Sequence, residues 1–169
     1  MYSNTYNSLL DYMYEQLKLD NQLCFRLYTA ARLVTNIYQP YFAPLGITYP
    51  QYLVLLVLWE KDKQPVCDIG KRLMLDTNTI TPLLQRMEKA GLIVRTRGTE
   101  DTRQRIVSLT HKGMELQEQM VNIPDCLSAR ITDKIGSVDE IVAMIPTLDK
   151  LIEGLFAFSA ASRLTCRRQ

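Results

Sequence analysis

The chain has 169 residues, 47% of them hydrophobic, and its formal net charge is only +2. Such a chain can bury the core of one packed domain and still carry an oligomerisation region, but its overall charge is too low for it to coat nucleic acid. The first residues lack the pattern of a secretion signal, and the longest apolar run, residues 52–59, is too short to span a bilayer. We therefore expect a protein of the reducing cytoplasm with no membrane partner.

The cysteines give little sign of a metal site. The four are Cys24, Cys67, Cys126 and Cys166; they lie far apart and form no C-x-x-C pair, and His111 is the single histidine. Structural zinc sites are usually built from closely spaced pairs of these residue types. We expect no metal and no other cofactor, and free thiols.

Helical spacing dominates the first 60 residues. Residues 1–19 predict a weak amphipathic helix, whose apolar positions are Leu9, Leu10, Met13 and Leu17. A second helix is predicted to begin after Asp20, its expected cap, and to end at Pro40 and residues 44–46. Thr48 is the expected cap of a third helix, which has proline in its first turn and enough apolar residues through Glu60 for full burial. A polar loop is predicted at 61–65.

Residues 66–110 predict a helix, a short turn, a second helix and a β-hairpin. Ile69 and Leu73 keep helical spacing before a break at 76–78, and the helix that follows ends at Gly91. Its apolar face carries Ile80, Leu83, Leu84 and Met87. Two β-like runs, 92–97 and 105–109, flank a polar loop. This order is typical of a winged helix-turn-helix, so the predicted fold class is mainly α with a small β-hairpin wing.

Two helical segments are predicted after the hairpin. The first runs from 111 to about 134 with a break at Pro124, and the second covers 138–158 with an irregularity at Pro146, before a polar, loose tail from Ser159. These segments and the first helices carry more apolar surface than a small winged domain covers, which favours a homodimer; one larger monomeric bundle is the alternative. The expected division is 1–45 and 111–169 for dimerisation, with 46–110 as the winged domain.

The start of the second helix in 66–110 carries short hydrogen-bonding side chains, which suit base edges in the major groove of double-stranded DNA. The candidates are Asp76, Thr77, Asn78, Thr79 and Thr81, followed by Gln85 and Arg86. In the alternative interpretation, Asp76 and Thr77 only cap the helix. The hairpin carries a cluster of basic residues that either contact DNA or form a solvated face: Arg95, Arg97, Arg103 and Arg105.

The hairpin tip is predicted at Glu100-Asp101-Thr102-Arg103. An arginine at such a tip can enter a narrow minor groove, where the negative potential is strongest. Asp101 would repel DNA, so we expect it to hold Arg103 in place. A solvent-exposed ion pair of little energetic value is the alternative.

The run D-T-R-Q-R-I-V-S-L-T follows L-x-x-R-M-E-K-A-G-L-I, and Asp101, Arg103, Leu109 and Thr110 match a wing motif D-x-R that leads to L-T. In these residues the chain resembles the MarR family of winged-helix regulators, over roughly residues 20–134. The blocks L-D-N-Q-L-C-F-R-L-Y-T-A-A-R, P-L-G-I-T-Y-P-Q-Y-L-V-L-L-V-L-W-E and L-D-T-N-T-I-T-P-L-L-Q-R-M-E are similar to its OhrR branch, the thiol-based sensors of organic hydroperoxides.

The OhrR resemblance implies that peroxide oxidises Cys24 and that Tyr38 and Tyr49, supplied by the partner subunit, hydrogen-bond it. The residues alone favour Cys24 as a buried core cysteine. The thiolate is the reactive form, and an Asp20 cap would place Cys24 at the edge of the first turn, where the helix dipole favours an anion.

The resemblance also implies two ways of resolving the sulfenic acid. One is an external thiol, and the other is a disulfide between subunits, for which Cys126 is the candidate and Cys166 the rival. Cys67 is expected to face inward and to be structural.

The expected function is that of a redox-sensing transcriptional regulator and not an enzyme: the reduced dimer binds operator DNA, as a repressor, and releases it when an organic hydroperoxide oxidises Cys24. Three alternatives remain. One is a MarR-type regulator with a small aromatic ligand, for which Tyr28, Tyr52 and Trp59 are candidate pocket residues, although their apolar character favours core positions. The others are a thiol peroxidase and a protein-interaction winged helix without a DNA role.

Overall fold

A computed structural model describes residues 14–98, 101–135 and 137–166. The chain forms two compact units, Met1–Val121 and Asn122–Gln169. Its elements are mostly helices with a small antiparallel sheet, so the predicted fold class is confirmed. Within the described ranges, no helix combines the length and the apolar character needed to cross a membrane.

The first long helix, α1 (Leu23–Phe42), begins later than predicted. Two 3-10 turns, Glu15–Leu17 and Leu19–Asn21, occupy the preceding residues, so Gln22 is the N-cap and Asp20 lies inside a turn. The predicted Asp20 cap was therefore wrong. A helix over 1–19 is absent from residues 14–19, and Leu9, Leu10 and Met13 lie outside the described residues.

Pro40 lies inside α1, so the prediction that it ends the helix was also wrong. A proline at this position cannot donate a hydrogen bond to the carbonyl of Asn36 and crowds it. Pro40 lies in the last turn of α1, so few helical hydrogen bonds follow it. The turn after α1 carries Gly46 with φ 65°.

Helix α2 (Tyr49–Glu60) is the centre of the first unit. It starts as predicted after Thr48, whose backbone N–H donates to Gln51 Oε1 at 2.8 Å, with Pro50 in the first turn. Its apolar residues point in all directions, and most are buried: Tyr52, Val54, Leu55, Val57 and Leu58. A helix that is apolar on every side must be surrounded, and the other elements of the unit surround it.

The helix-turn-helix consists of α3 (Val66–Arg72) and α4 (Thr77–Lys89). The turn between them is closed by Leu75 N–H to the Gly70 carbonyl at 2.8 Å and Met74 N–H to the Lys71 carbonyl at 3.1 Å. Met74 takes the left-handed conformation, φ 53°, that this helix ending requires. The predicted apolar face of α4 is confirmed, because all four of its residues are buried: Ile80, Leu83, Leu84 and Met87.

The sheet has three strands in the order β1-β3-β2. Strands β2 (Ile93–Arg97) and β3 (Arg105–Leu109) form the predicted hairpin, with Arg97 opposite Arg105. Strand β1 (Gln64–Pro65) lies in the predicted loop and pairs with β3. A strand of two residues is too short to show an alternation of apolar and polar side chains, so the sequence pattern could not indicate it.

Four more helices follow the hairpin: α5 (His111–Met120), α6 (Ile123–Ile135), α7 (Val138–Ala143) and α8 (Ile145–Cys166). Pro124 and Pro146 are the second residues of α6 and α8, so both predicted interruptions are present. The prediction of a loose tail from Ser159 was wrong for 159–166, because α8 continues through Cys166. Small residues and serines at 159–162 are compatible with a helix even where an apolar stripe ends.

The start of α5 packs closely on the base of the hairpin. Thr110 accepts from Gly113 N–H at 3.1 Å and donates its hydroxyl to the Gly91 carbonyl at 2.6 Å. Trp59 Nε1 donates to the Gly113 carbonyl at 3.0 Å, so α2 meets the same point. A Cβ atom on Gly113 would lie 2.2 Å from the Leu92 carbonyl oxygen, so only glycine permits this approach.

Gly113→Ala should therefore destabilise the protein by about 1–3 kcal/mol, the usual range for overpacking, because backbone atoms would have to move. Urea unfolding measures this. Glu118→Ala, at an exposed position of the same helix, is the control and should change stability by less than about 0.5 kcal/mol. Equal stability of Gly113→Ala and wild type would contradict the close packing.

Candidate functional site

Cys24 is the second residue of α1 and is exposed. It lies within the first turn, closer to the helix start than the sequence predicted. The backbone N–H groups of a first turn have no partners inside the helix, and their partial positive charge favours a nearby anion. The residues on either side, Leu23 and Phe25, are exposed and apolar. The thiol is therefore accessible and has apolar neighbours.

Tyr38 lies on the same helix as Cys24, fourteen residues further on. At about 1.5 Å per residue, the two are separated by about 21 Å along the helix axis. No proline lies between them, and a tyrosine side chain cannot cover such a distance. Within one chain, therefore, Cys24 and Tyr38 cannot be in contact.

Tyr38 belongs to an aromatic cluster at the other end of α1. Its ring centroid is 5.2 Å from those of Phe42 and Tyr49 and 5.9 Å from that of Tyr52. Tyr52 continues the cluster to Trp59, 6.2 Å away. The structure thus brings together Tyr38 and Tyr49, the two tyrosines predicted to act as a pair, and adds Tyr52 beside them.

Two hydroxyls of this cluster, those of Tyr38 and Tyr52, are held in their protonated form. Burial raises the pKa of Tyr38, and the neighbouring Tyr49 raises it further. Burial likewise raises the pKa of Tyr52, with smaller contributions from Tyr38 and Tyr49. Removing a proton from one hydroxyl would place an anion among apolar rings. At neutral pH the hydroxyls of Tyr38 and Tyr52 therefore keep their protons and can donate hydrogen bonds.

The other cysteines occupy different surroundings. Cys126 lies in α6 and is exposed. Cys67, in α3, is also exposed, so the prediction that it faces inward was wrong; Ile69 and Gly70 form the buried side of that short helix. The side chain of Cys166 lies outside the described residues. Among the described side chains, no group of three or more potential ligands could hold a metal ion.

Helix α4 presents the predicted DNA-reading residues on its solvent side. Asp76 is the N-cap, and Thr77, Asn78 and Thr79 are exposed in the first turn. Thr81 is half-buried, whereas Gln85 and Arg86 are exposed further along the helix. The buried face of α4 lies opposite, so the solvent side of this helix start is open to a ligand.

The wing tip places Asp101 and Arg103 in one turn. The backbone N–H of Arg103 donates to Asp101 Oδ1 at 2.9 Å, and Gln104 N–H donates to the Asp101 carbonyl at 3.0 Å. Asp101 thus binds the main chain of Arg103, and the guanidinium remains exposed. A Cβ atom on Gly98 would lie 2.6 Å from the Asp101 carbonyl oxygen, so the tip closes tightly. Thr99 and Glu100 lie outside the described residues.

The four hairpin arginines differ in their surroundings. Arg97, Arg103 and Arg105 have exposed side chains without an ion-pair partner among the described residues. Arg95 is half-buried and pairs with Glu88 of α4, with Nη2 2.6 Å from Oε2. Sequence reasoning missed this pair. Its only signal was a glutamate near the end of one element and an arginine near the start of the next, around the Gly91 turn.

Large apolar side chains are exposed at both ends of the chain. On α1 they are Leu23, Phe25, Tyr28, Leu33, Val34 and Ile37; on α7 and α8 they are Ile141, Val142, Ile145, Ile152, Leu155, Phe156 and Phe158. Numerous large apolar side chains exposed on one helix favour an interaction site. These are the helices that the sequence assigned to dimerisation.

The aromatic residues proposed to line a ligand pocket do not converge within one chain. Tyr52 is buried in the aromatic cluster and packs against Trp59. Tyr28 is exposed, ten residues before Tyr38 on α1, and is therefore about 15 Å from the cluster along the helix axis. Tyr52 is a core residue of the first unit, and Trp59 is half-buried beside it.

A helix-turn-helix followed by a hairpin rich in arginine defines a winged helix-turn-helix, a class of DNA-binding protein. The profile of the family described as Transcriptional regulator SarA/Rot matches residues 36–120, half of the chain. The chain belongs to this family of winged-helix, MarR-like transcriptional regulators. The resemblance proposed from the sequence is confirmed.

The relatives of the chain include a regulator of organic hydroperoxide resistance and a DNA-bound protein in its reduced form. The Organic hydroperoxide resistance transcriptional regulator of Bacillus subtilis is 50% identical over 111 residues, which are 66% of this chain and 76% of the relative. Reduced AbfR bound to DNA is 38% identical, with a TM-score of 0.70 over 83% of this chain and 96% of that one. AbfR, a protein of Staphylococcus epidermidis, is also known with a disulfide formed; that structure is 38% identical, with a TM-score of 0.57 over 84% and 98%.

Proposed function

We propose that the protein is a dimeric, redox-sensing repressor in the cytoplasm. It binds operator DNA while Cys24 is a thiol and releases the DNA when an organic hydroperoxide oxidises Cys24. The observation that carries this proposal is that an exposed cysteine lies at the start of α1, whereas Tyr38 lies near the far end of the same helix, where it packs against Tyr49 of α2. The functions of the Bacillus relative and of reduced AbfR, as their names state them, support it.

The sensing site is built from two subunits. Since α1 separates Cys24 from its own Tyr38 by about 21 Å, Tyr38 and Tyr49 reach a cysteine only across a dimer interface. The exposed apolar residues of α1 support such an interface, because a second copy would cover them. In a two-fold dimer the same contact forms twice.

The chemistry begins with the Cys24 thiolate, which the tyrosine hydroxyls and the start of α1 stabilise. Its sulfur attacks the terminal oxygen of the hydroperoxide, the O–O bond breaks, and the alkoxide takes a proton and leaves as an alcohol. Cys24 becomes a sulfenic acid and the peroxide is reduced by two electrons. The apolar neighbours Leu23 and Phe25 favour peroxides with an organic substituent.

Cys126 resolves the sulfenic acid. Its thiolate attacks the Cys24 sulfur, a disulfide forms between the subunits, and the oxygen of the sulfenic acid leaves as water. The exposure of Cys126 supports this role, as does the existence of a disulfide form of AbfR. Cys166 and an external thiol are the competing routes.

The operator contact is made by α4 and the wing. The exposed start of α4, from the Asp76 cap to Thr79, enters the major groove, where short polar side chains read base edges. Thr81, Gln85 and Arg86 lie further along the helix and enter with it. Arg103 enters the minor groove, and Arg97 and Arg105 contact the backbone. Two copies of α4 about 34–36 Å apart fit successive major grooves, and the disulfide changes this spacing.

A regulator that binds an aromatic ligand is less well supported, because Tyr28, Tyr52 and Trp59 do not converge. A thiol peroxidase would consume hydroperoxide in many turnovers when a thiol reductant is supplied. We expect consumption to stop at about one equivalent per Cys24 without reductant and to remain slow with it.

Cys24→Ser should bind DNA like the reduced wild type but should not release it after treatment with tert-butyl hydroperoxide. The probe is a duplex that the reduced wild-type protein selects from a random pool. Wild-type affinity should fall by about 5- to 150-fold on oxidation, the usual range of coupling between two sites. Cys67→Ser, which removes another exposed thiol, is the control and should respond like wild type. Release by oxidised Cys24→Ser would refute the sensing role.

A mixed dimer tests whether the tyrosines act across subunits. One subunit carries Cys24→Ser, and the other carries Tyr38→Phe with Tyr49→Phe. In this dimer the remaining Cys24 meets intact tyrosines only if the partner supplies them, so it should oxidise at the wild-type rate. In a homodimer of the tyrosine double variant, oxidation should be slower. Sulfenic acid trapping followed by mass spectrometry measures both rates, and a slow mixed dimer would contradict the arrangement.

Cys126→Ser should lose the covalent dimer that oxidised wild-type protein forms on a non-reducing gel, because its sulfenic acid has no resolving thiol. Cys67→Ser should keep that band, and it serves as the matched control. If the band persists in Cys126→Ser, Cys166 takes the resolving role.

A further inference from the structure

The ion pair between Glu88 and Arg95 joins the last turn of α4 to the middle of β2. Glu88 Oε2 accepts from Arg95 Nε at 2.9 Å and Nη2 at 2.6 Å, and Oε1 accepts from the backbone N–H of Arg95 at 3.1 Å. The arginine side chain is 21% exposed and the glutamate 37%. Three hydrogen bonds donated by Arg95 to one carboxylate therefore fix strand and helix relative to each other.

The strand register places three arginines on one face of the hairpin. Arg95 and Arg97 are two residues apart on β2, so their side chains point to the same side. Arg105 lies directly opposite Arg97 and therefore shares that side. Val107, opposite Arg95, is fully buried, which identifies this side as the one that packs on the domain near its base. Towards the tip it carries exposed cations.

Glu88 is the counter-charge of this face. The hydrogen bond from Arg95 lowers the pKa of Glu88 most, and the charge of Arg105 lowers it further. The carboxylate therefore remains ionised and attracts the strand that carries Arg105 as well as the one that carries Arg95. Without it, three cations on one face would repel one another.

We propose that Glu88 and Arg95 are positioning residues that hold the wing against the recognition helix α4, so that Arg97 and Arg105 reach the DNA backbone while Arg95 does not contact DNA. The sequence had assigned Arg95 to DNA. Its Nε and Nη2 donors are occupied by Glu88, and only a fifth of its side chain is exposed. This inference rests on DNA binding, as in the proposed function.

The direction in which Glu88→Gln changes DNA affinity distinguishes a positioning role from a purely electrostatic one. Glu88→Gln removes a negative charge from the DNA-facing side, and if the carboxylate were only a nearby charge, DNA binding would become tighter. If the carboxylate holds the wing, binding becomes weaker. We expect affinity to fall by about tenfold, the factor typical for loss of one charge-assisted contact.

Arg95→Lys is the second variant, and Arg97→Lys is its matched control on the same face. Lysine keeps the charge but cannot make the two-point contact with a carboxylate, whereas it binds a phosphate as a point charge. We expect Arg95→Lys to weaken binding about as much as Glu88→Gln, and Arg97→Lys to weaken it by less than about threefold. Thermal unfolding of each variant establishes the temperature at which all are folded, and binding is measured below it.

The experiment uses the reduced full chain and the duplex that it selects from a random pool. Tighter binding by Glu88→Gln, or equal behaviour of Arg95→Lys and Arg97→Lys, overturns the positioning role. Should Glu88→Gln fail to fold, the comparison of the two lysine variants decides. Failure of the wild-type protein to bind any duplex overturns the proposed function instead, so the two failures are distinguishable.

Discussion

The fixed length of α1 is the constraint on which the sensing arrangement depends. An α-helix cannot shorten, and this one carries the exposed thiol of Cys24 in its first turn and Tyr38 about 21 Å further along. A site that combines the two can form only where the start of one α1 meets the far end of another. A two-fold dimer does this when its two α1 helices run in opposite directions. Oxidation then acts directly on the contact between subunits.

The tyrosine end of α1 belongs to the core of the winged domain. Tyr38 packs on Tyr52, Tyr52 packs on Trp59, and Trp59 donates to the Gly113 carbonyl beside the base of the hairpin. Each step is a close contact in a well-packed interior, which resists compression and repacks between discrete arrangements. The tyrosines that we propose to meet a partner's thiol therefore pack against α2, and α2 in turn supports the helix-turn-helix.

Sequence patterns predicted the parts of the fold that repeat. The apolar spacing of α4 and the paired strands at 93–97 and 105–109 identified the winged domain, because burial of one face imposes a period. Helix boundaries that depend on single hydrogen bonds were harder to predict from the sequence. The 3-10 turn at Leu19–Asn21 precedes α1, so Gln22 and not Asp20 is its cap, and Pro40 lies inside the last turn of the helix and does not end it.

In the candidate site, too, some features could be predicted from the sequence and individual contacts between elements could not. Tyr38 and Tyr49 were predicted as a pair by resemblance, and the structure places them together, but the ion pair of Glu88 with Arg95 depends on how a helix and a strand meet. No periodic sequence pattern predicts where a helix and a strand make contact. For the same reason four arginines that are alike in the sequence have different surroundings, and a net charge of +2 does not show which cations are already paired. On the hairpin face that carries three arginines, the Glu88 carboxylate binds Arg95. Arg97 and Arg105 therefore remain available to a ligand.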